Sequence, residues 1–144
     1  NVSLKGKVII IGGGLVGLEV AEYLEGKAEE ITVVEMLDQV GKDLGDLRKI
    51  SVMENIYHAG VQTVTNAQCI EILANAVVVE KEGHADSIPC DYVVVAIGAK
   101  ARSFEDIAAY CSEQGIAYHV IGDAIRARRA LNATTEAAAI ARAI

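Results

Sequence analysis

The sequence predicts an α/β fold in which a parallel β-sheet is flanked by helices and accompanied by a small antiparallel β-meander. Three observations lead to this prediction. The first half alternates short β-branched apolar runs with amphipathic stretches of helical length. Short strand-like pieces, separated by Asn75 and Gly83, then interrupt the alternation. The composition, with 52% hydrophobic residues and one proline in 144 residues, favours regular structure over disorder.

The first half has the order strand–helix–strand–helix–strand, which is typical of parallel strands joined by right-handed crossovers. Its predicted elements are buried strands at Val8–Ile11, Ile31–Val34 and Val61–Val64, and helices at Leu15–Glu25 and Leu47–Ala59. Gly60 ends the second helix. Helical spacing assigns the inner face of that helix to Leu47, Ile50, Met53 and Tyr57.

The second half departs from this alternation and then returns to it. Three short pieces predict an antiparallel meander, at Gln68–Leu73, Ala76–Lys81 and Ala85–Ile88. The remaining predicted elements are a buried strand at Tyr92–Ile97, a helix at Phe104–Gln114, a strand at Tyr118–Ile121 and an alanine-rich helix at Leu131–Ile144. We expect Tyr118–Ile121 to lie beside Tyr92–Ile97 in the parallel sheet. No linker or repeat marks a boundary, so residues 1–144 are expected to form one domain.

Charge and hydropathy narrow the classes of partner. The formal net charge is −7, and the basic residues form no stripe beyond Arg126, Arg128 and Arg129, which disfavours nucleic acid. No apolar run has the length of a membrane span, so no membrane partner is expected. The chain begins at Asn1 without a methionine, and we expect it to be an excised fragment of a longer protein.

The three cysteines, Cys69, Cys90 and Cys111, are far apart and form no Cys-x-x-Cys pair. They have no histidine at ligand spacing, so no metal site is expected within the chain. Reduced, buried thiols of a cytoplasmic protein are the expected state.

Gly12, Gly14 and Gly17 form a G-x-G-x-x-G pattern between the first strand and the first helix. The pattern alone is weak evidence for a dinucleotide site, but it becomes stronger here because it follows a predicted strand and opens a predicted helix. Gly12 allows a tight turn, Gly14 removes a Cβ so that a pyrophosphate can approach, and Gly17 allows close helix–sheet packing. The helix N-terminus adds free N–H groups and a partial positive charge. The pattern therefore predicts a Rossmann-like, three-layer dinucleotide-binding domain.

An acidic residue at the end of the second strand completes this prediction. Glu35 ends the run ITVVE, about 20 residues after the first glycine. Its carboxylate can accept hydrogen bonds from both ribose hydroxyls and would repel a 2′-phosphate, which favours NAD(H) over NADP(H). Met36 and Leu37 supply no cation that would reverse this preference. The alternative is a solvated acid at a strand end, with glycines that serve only the turn.

The chain resembles two-dinucleotide flavoprotein reductases in four stretches, GGGLVGLEVAEYL, ITVVEM, DYVVVAIGA and VIGDA, with the meander in its expected place. Those enzymes nest an NAD(P)-binding domain within an FAD-binding domain. EMLDQVGKDLG and HVIGDAIRARRAL are most similar to the C-terminal part of NADH:flavin oxidoreductases related to 2-enoate reductase and 2,4-dienoyl-CoA reductase. The resemblance covers essentially the whole chain.

The resemblance implies a place for each part of NAD. The pyrophosphate would lie on the three glycines of the motif, and the adenine ribose would bind at Glu35. Met36, the next residue, is also expected to contact the cofactor. The strand end at Ala96, Ile97 and Gly98 would pass beneath the cofactor. The carboxyl ends of parallel strands are also where ligands bind in such sheets.

The resemblance also implies contacts with a flavin. Glu19 would lie toward the nicotinamide and the flavin, or else be an exposed acid in the first helical turn. Gly122 and Asp123 match a motif that binds FAD, although Asp123 could instead cap a helical turn. Residues 115–144 resemble the C-terminal return segment of the FAD domain.

By this resemblance the chain is the NAD(H)-binding domain of a flavin-dependent, enoate or dienoyl-CoA reductase-like oxidoreductase. NADH would pass a hydride to FAD, and electrons would continue through an iron–sulfur cluster and FMN to an activated C=C bond. The implied partners are NADH, the FAD-binding half, and the flavin and iron–sulfur domains. His58, His84 and His119 are scattered, so no catalytic residue is assigned, and the isolated domain is expected to be inactive.

Other classes share parts of this pattern. Methyltransferases that bind S-adenosylmethionine have a glycine-rich first turn and an acid after strand two, but they continue to alternate strands and helices. Regulatory Rossmann domains of potassium channels are non-catalytic nucleotide sensors of similar length, and they are the main alternative. The meander at residues 67–89 argues against both classes, and the pair Gly122-Asp123 also argues against the nucleotide sensors. A scaffold that kept the fold and lost the ligand is the third possibility.

Overall fold

The computed structural model describes residues 4–144 of the chain. This part contains seven strands, four α-helices and a short 3-10 helix at Gly122–Ala124. The strands β1 to β7 span Lys7–Ile11, Glu30–Val34, Gln62–Val64, Gln68–Ile72, Ala76–Lys81, His84–Pro89 and Tyr92–Val95. The helices α1 to α4 span Leu15–Leu24, Asp46–His58, Glu105–Glu113 and Ala130–Ala141. Within this range, no helix combines the length and the apolar character that crossing a bilayer requires.

Four strands form a parallel sheet in the order β3-β2-β1-β7. Ile9 of β1 lies opposite Thr32 of β2 and Val93 of β7, so β1 is bonded on both sides. From β1 the chain adds β2 and β3 on one side, and after the meander it returns to add β7 on the other side of β1. A strand order that reverses in this way opens a crevice at the carboxyl ends of the strands, and here that crevice lies after Ile11.

The side chains of β1 alternate between two cores. Val8 and Ile10 pack on the side of α1 and α2, with Leu18 and Val52 among their neighbours. Side chains from the other face of the sheet join residues of the meander in a second core, formed by Ile9, Ile11, Val34, Ala67, Val77, Val79 and Cys90. The fold is Rossmann-like, as predicted, with helices on one face of the sheet and the antiparallel meander β4-β5-β6 on the other.

The inner face of α2 differs from the prediction. Its buried residues are Val52 and Ile56, whereas Leu47 is 87% exposed and Tyr57 is 80% exposed. Ile50 is also exposed, and Met53 is partly buried. The helix carries two apolar stripes, and helical spacing alone cannot choose between them. The choice follows from the sheet, because only one stripe can meet α1 and β2.

Residues 118–121 form no strand, so the predicted partner for β7 is wrong. Ile121 does have an extended backbone, with φ −140° and ψ 163°. An apolar run favours extended backbone, but a strand also needs a neighbour that completes its hydrogen bonds.

The chain divides into two compact units, one ending at Ile97 and the other running from Gly98 to Ile144.

The cysteines are less uniformly buried than expected. Cys90 is buried in the core beneath the meander, and burial raises the pKa of its thiol. Cys69 and Cys111 are only half-buried. The expectation of three buried thiols is therefore correct for Cys90 alone.

The orientation of α2 can be tested by two truncations. Ile56→Ala should lower the free energy of unfolding by about 2–4 kcal/mol, because it opens a cavity in the helix-side core. Leu47→Ala removes as large an apolar side chain from the exposed stripe and should change stability by less than about 0.5 kcal/mol. Urea denaturation followed by circular dichroism measures both. Equal losses for the two variants would contradict this orientation.

Candidate functional site

Two glycines of the motif are required by the packing of the chain itself. Gly12 has φ +106°, and a Cβ there would overlap the carbonyl oxygen of Ala96 at the end of β7. Gly17 is buried, and a Cβ there would overlap the carbonyl oxygen of Gly12. This geometry agrees with the tight turn predicted at Gly12 and the close helix–sheet packing predicted at Gly17, where a Cβ would also lie 3.4 Å from Ile10 Cγ2.

Gly14 is different, because the chain leaves room for a side chain there. Its φ of −77° is open to any residue. The nearest atom to an added Cβ would be Asp43 Oδ2 at 3.4 Å, an ordinary contact. The missing side chain therefore exposes the main chain at the start of α1. Neither the N-cap residue nor the first turn of this helix supplies a capping or acidic side chain, which suits an anionic ligand. The carboxylate of Asp43, from the loop after β2, lies 3.4 Å from the nitrogen of Leu15.

Glu35 holds the glycine turn in place. Its side chain is buried, and Oε2 accepts a hydrogen bond of 2.7 Å from the N–H of Gly13. Oε1 accepts a second bond of 2.8 Å from the N–H of Leu37. Glu35 is therefore not a solvated acid at a strand end. A carboxylate has about four acceptor positions, so each oxygen keeps a lone pair for a further donor.

The loop between β2 and α2 closes over the turn. The N–H of Gly41 donates to the carbonyl of Gly13 at 2.7 Å, and Val40 is buried against the glycines. A Cβ on Gly13 would lie 2.6 Å from Val40 Cγ1, so this middle glycine is also required. Sequence reasoning gave Gly13 no role because the loop has no regular period. The lone apolar Val40 before Gly41 was the available signal.

A pocket of about 120 Å³ lies where the turn, Glu35 and the loop meet. Its lining residues are Gly13, Gly14, Glu35, Leu37, Gln39, Lys42 and Asp43. Drug-sized ligands occupy pockets of roughly 300–1,000 Å³, so this one suits a segment of a dinucleotide. Lys42, the cation of the lining, pairs with Asp38 at 3.1 Å.

The other predicted residues of the first unit lie outside this pocket lining. Ala96 follows β7 and donates its N–H to Ile11 at 2.8 Å, which places it beside the glycine turn. Ile97 and Met36 are exposed. Glu19 lies on the exposed face of α1, with Arg48 of α2 at 3.8 Å. The roles implied for these residues remain predictions.

In the second unit, a hydrogen-bonded turn contains the pair Gly122-Asp123. Glu136 of α4 accepts the N–H of Gly122 at 2.7 Å through Oε2 and pairs with Arg128 through Oε1. Asp123 Oδ1 accepts the N–H of Arg128 at 3.1 Å, a local contact that does not cap the Gly122–Ala124 turn or α4. Gly98 opens this unit with φ +91°. Glu136 was not predicted from the sequence, because it is an isolated acidic residue in an alanine-rich helix and matches no motif.

The charge on Glu136 is stabilised by these contacts. The N–H of Gly122, and then Arg128, hold the pKa of the Glu136 carboxyl below its usual range. A lowered pKa means that the folded turn stabilises the ionised carboxylate of Glu136 relative to the protonated form. The stabilising contribution is present above the usual pKa of 4.5 and is lost as the pH falls through the lower folded value.

Comparison with known proteins decides the family. The family model for pyridine nucleotide-disulphide oxidoreductases matches residues 1–126. The chain belongs to this family. Its members bind NAD(P) and FAD.

Individual relatives are oxidoreductases as well. The chain is 36% identical over 118 residues to bilirubin reductase of Mediterraneibacter gnavus, a match that covers 82% of this chain and 18% of that protein. It is 35% identical over 130 residues to NADH oxidase of Thermoanaerobacter brockii, covering 90% and 20%. The solved structure of 2-naphthoyl-CoA reductase with 2-naphthoyl-CoA aligns with a TM-score of 0.71 and 30% identity, covering 92% and 20%. The chain thus spans about a fifth of the length of these relatives.

The surroundings of the two glycines predict that a methyl group is tolerated at Gly14 and not at Gly17. Gly17→Ala should lower the free energy of unfolding by more than about 2 kcal/mol, because the Cβ meets main chain that cannot move aside easily. Gly14→Ala should cost less than about 1 kcal/mol, the usual range at a helix N-cap. Thermal and urea denaturation give both values. A Gly14→Ala loss as large as that of Gly17→Ala would show that the chain itself needs the second glycine.

The Glu136 contacts predict a titration at Gly122. In ¹H–¹⁵N spectra, the Gly122 amide proton should move upfield as the carboxylate is protonated, with a midpoint below 4.5. Glu136→Gln should abolish this movement, because the amide does not titrate. Asp123→Asn is the control and should leave it in place. A midpoint at or above 4.5 would show that the turn does not stabilise the charge.

Proposed function

We propose that the chain binds NAD(H) and positions it for hydride transfer to a flavin within a flavin-dependent oxidoreductase. The observation that carries the proposal is the bare main chain at Gly14 beside the buried carboxylate of Glu35. The packing of the chain would allow a side chain at Gly14. A ligand in contact with the main chain would not, so the ligand explains why glycine stands there. Membership of the pyridine nucleotide family supports this ligand.

The diphosphate of the dinucleotide fits the start of α1. The first-turn N–H groups of a helix have no partner within the helix, and the N-cap residue of α1, Gly14, has no side chain to accept them. Their dipoles favour a negative charge in front of the helix. Gly14 lets that charge approach to hydrogen-bonding distance of the backbone.

The adenine ribose fits Glu35. The two backbone N–H groups that Glu35 accepts fix the direction of its carboxylate before any ligand binds. The remaining lone pairs can accept the two ribose hydroxyls, whereas a 2′-phosphate would meet a like charge. Lys42 also lines the pocket, but its ammonium is paired with Asp38. NADH should therefore bind more tightly than NADPH.

Bound NADH supplies the hydride, and the chain supplies binding and orientation. The residues that line the pocket offer no nucleophile–base pair, so we assign no catalytic residue. FAD as the direct acceptor, and an iron–sulfur cluster, FMN and an enoate-type substrate beyond it, are the finer proposal. They would belong to other parts of a longer protein, because the relatives are about five times the length of their matched segments. Relatives named as reductases of bilirubin and 2-naphthoyl-CoA support this direction of electron flow.

Titration of NADH and NADPH into the 144-residue chain tests the proposal. Calorimetry should detect weak NADH binding and NADPH binding weaker by about tenfold, a difference of about 1.4 kcal/mol. Gly14→Val should abolish NADH binding, because its methyl groups occupy the diphosphate position. Circular dichroism should show that the variant keeps its fold.

The outcomes separate the candidate functions. NADH binding that survives Gly14→Val would place the nucleotide elsewhere. Failure of the wild-type chain to bind either nucleotide would favour a scaffold that has lost its ligand.

A further inference from the structure

We propose that Asp43 competes with the dinucleotide's diphosphate for the N-terminus of α1 and so limits the affinity of the site. This inference rests on the proposed function. It assigns to Asp43 an affinity-limiting role that the glycine motif and the acid after β2 do not include. The loop that carries Asp43 connects β2 to α2.

The position of the Asp43 carboxylate is the first argument. Its Oδ2 lies 3.4 Å from the N–H nitrogen of Leu15, the first residue of α1. The same oxygen lies 3.4 Å from the point where a Cβ on Gly14 would be. It therefore borders the space that Gly14 leaves open, within reach of a phosphate oxygen bound there.

The loop holds Asp43 in that position. On its N-terminal side, Gly41 is bonded to Gly13 at 2.7 Å and Val40 is buried. On its C-terminal side, the N–H of Leu44 donates to Gly41 at 3.2 Å. These anchors fix the backbone on both sides, so a diphosphate can displace the carboxylate only by rotating the side chain or opening the loop.

Charge gives the second argument. α1 has no acid in its own first turn, and Asp43 brings a carboxylate there from a separate loop. A carboxylate and a phosphate are both stabilised at a helix N-terminus, so they compete for the same N–H groups. If both remained, like charges would lie within a few ångströms in a partly exposed pocket. The bound nucleotide therefore loses part of the favourable interaction that the empty turn would offer.

Asp43→Asn tests this inference, because it removes the charge and keeps the shape. ADP-ribose is the probe, since it carries the adenine ribose and the diphosphate without the nicotinamide. Calorimetry at low ionic strength should show that ADP-ribose binds about three- to tenfold more tightly to the variant, a change of about 0.7–1.4 kcal/mol. Asp46→Asn is the matched control, because it removes an equal charge nearby from a residue outside the pocket lining. It should leave the affinity within about twofold.

Salt and a second probe separate repulsion from other effects. Repulsion by Asp43 offsets the helix attraction in the wild type, so ADP-ribose affinity should fall more steeply with added salt in Asp43→Asn. Adenosine has no diphosphate, and its affinity, measured by chemical-shift titration, should be the same in both proteins. An equal gain for adenosine would show that Asp43 acts on the nucleoside instead.

The failure of this inference differs from the failure of the proposed function. ADP-ribose that binds the wild type and binds Asp43→Asn equally or more weakly would overturn the role of Asp43 and leave the site intact. ADP-ribose that binds neither protein would overturn the dinucleotide site, and with it the inference.

Discussion

The double hydrogen bond of Glu35 determines the geometry of the candidate site. One carboxylate joins the glycine turn after β1 to the start of the loop after β2, through Gly13 and Leu37. Both groups are main-chain donors, one buried at Gly13 and one partly buried at Leu37, and an unpaired N–H at the buried position would be costly. The same contact orients the carboxylate. The turn and the proposed ribose acceptor are therefore set by one interaction, and neither can move without the other.

The sheet brings this interaction to a useful place. β1 is bonded on both sides, and its alternate side chains enter two different cores. Such a strand is fixed along its whole length, so the turn that follows Ile11 starts from a rigid point. The end of β7 then passes close enough to exclude a side chain at Gly12. Rigid strands thus hold the glycine turn at residues 12–14, which has no side chains that could fix its conformation by packing.

The second unit uses the same device with different residues. Glu136 accepts the N–H of Gly122, as Glu35 accepts the N–H of Gly13, and both bonds are 2.7 Å long. In each unit a glutamate from a neighbouring element holds a glycine turn by its main chain. Gly122 has φ +61°, and a Cβ there would lie 2.8 Å from Ala133 Cβ, so this turn also needs glycine. Glycine permits the turn, and the distant carboxylate stabilises it.

The sequence by itself determined the elements of the first unit, because β-branched runs, helical spacing and glycine stops act locally. It also placed Gly12, Gly14, Gly17 and Glu35 at the crossover, since each answers a demand of that one turn. Only the tertiary structure decided which stripe of α2 is buried, whether residues 118–121 find a strand partner, and where Asp43 and Glu136 point. Those outcomes depend on neighbours that are distant in sequence, and a local pattern allows several of them at nearly equal cost.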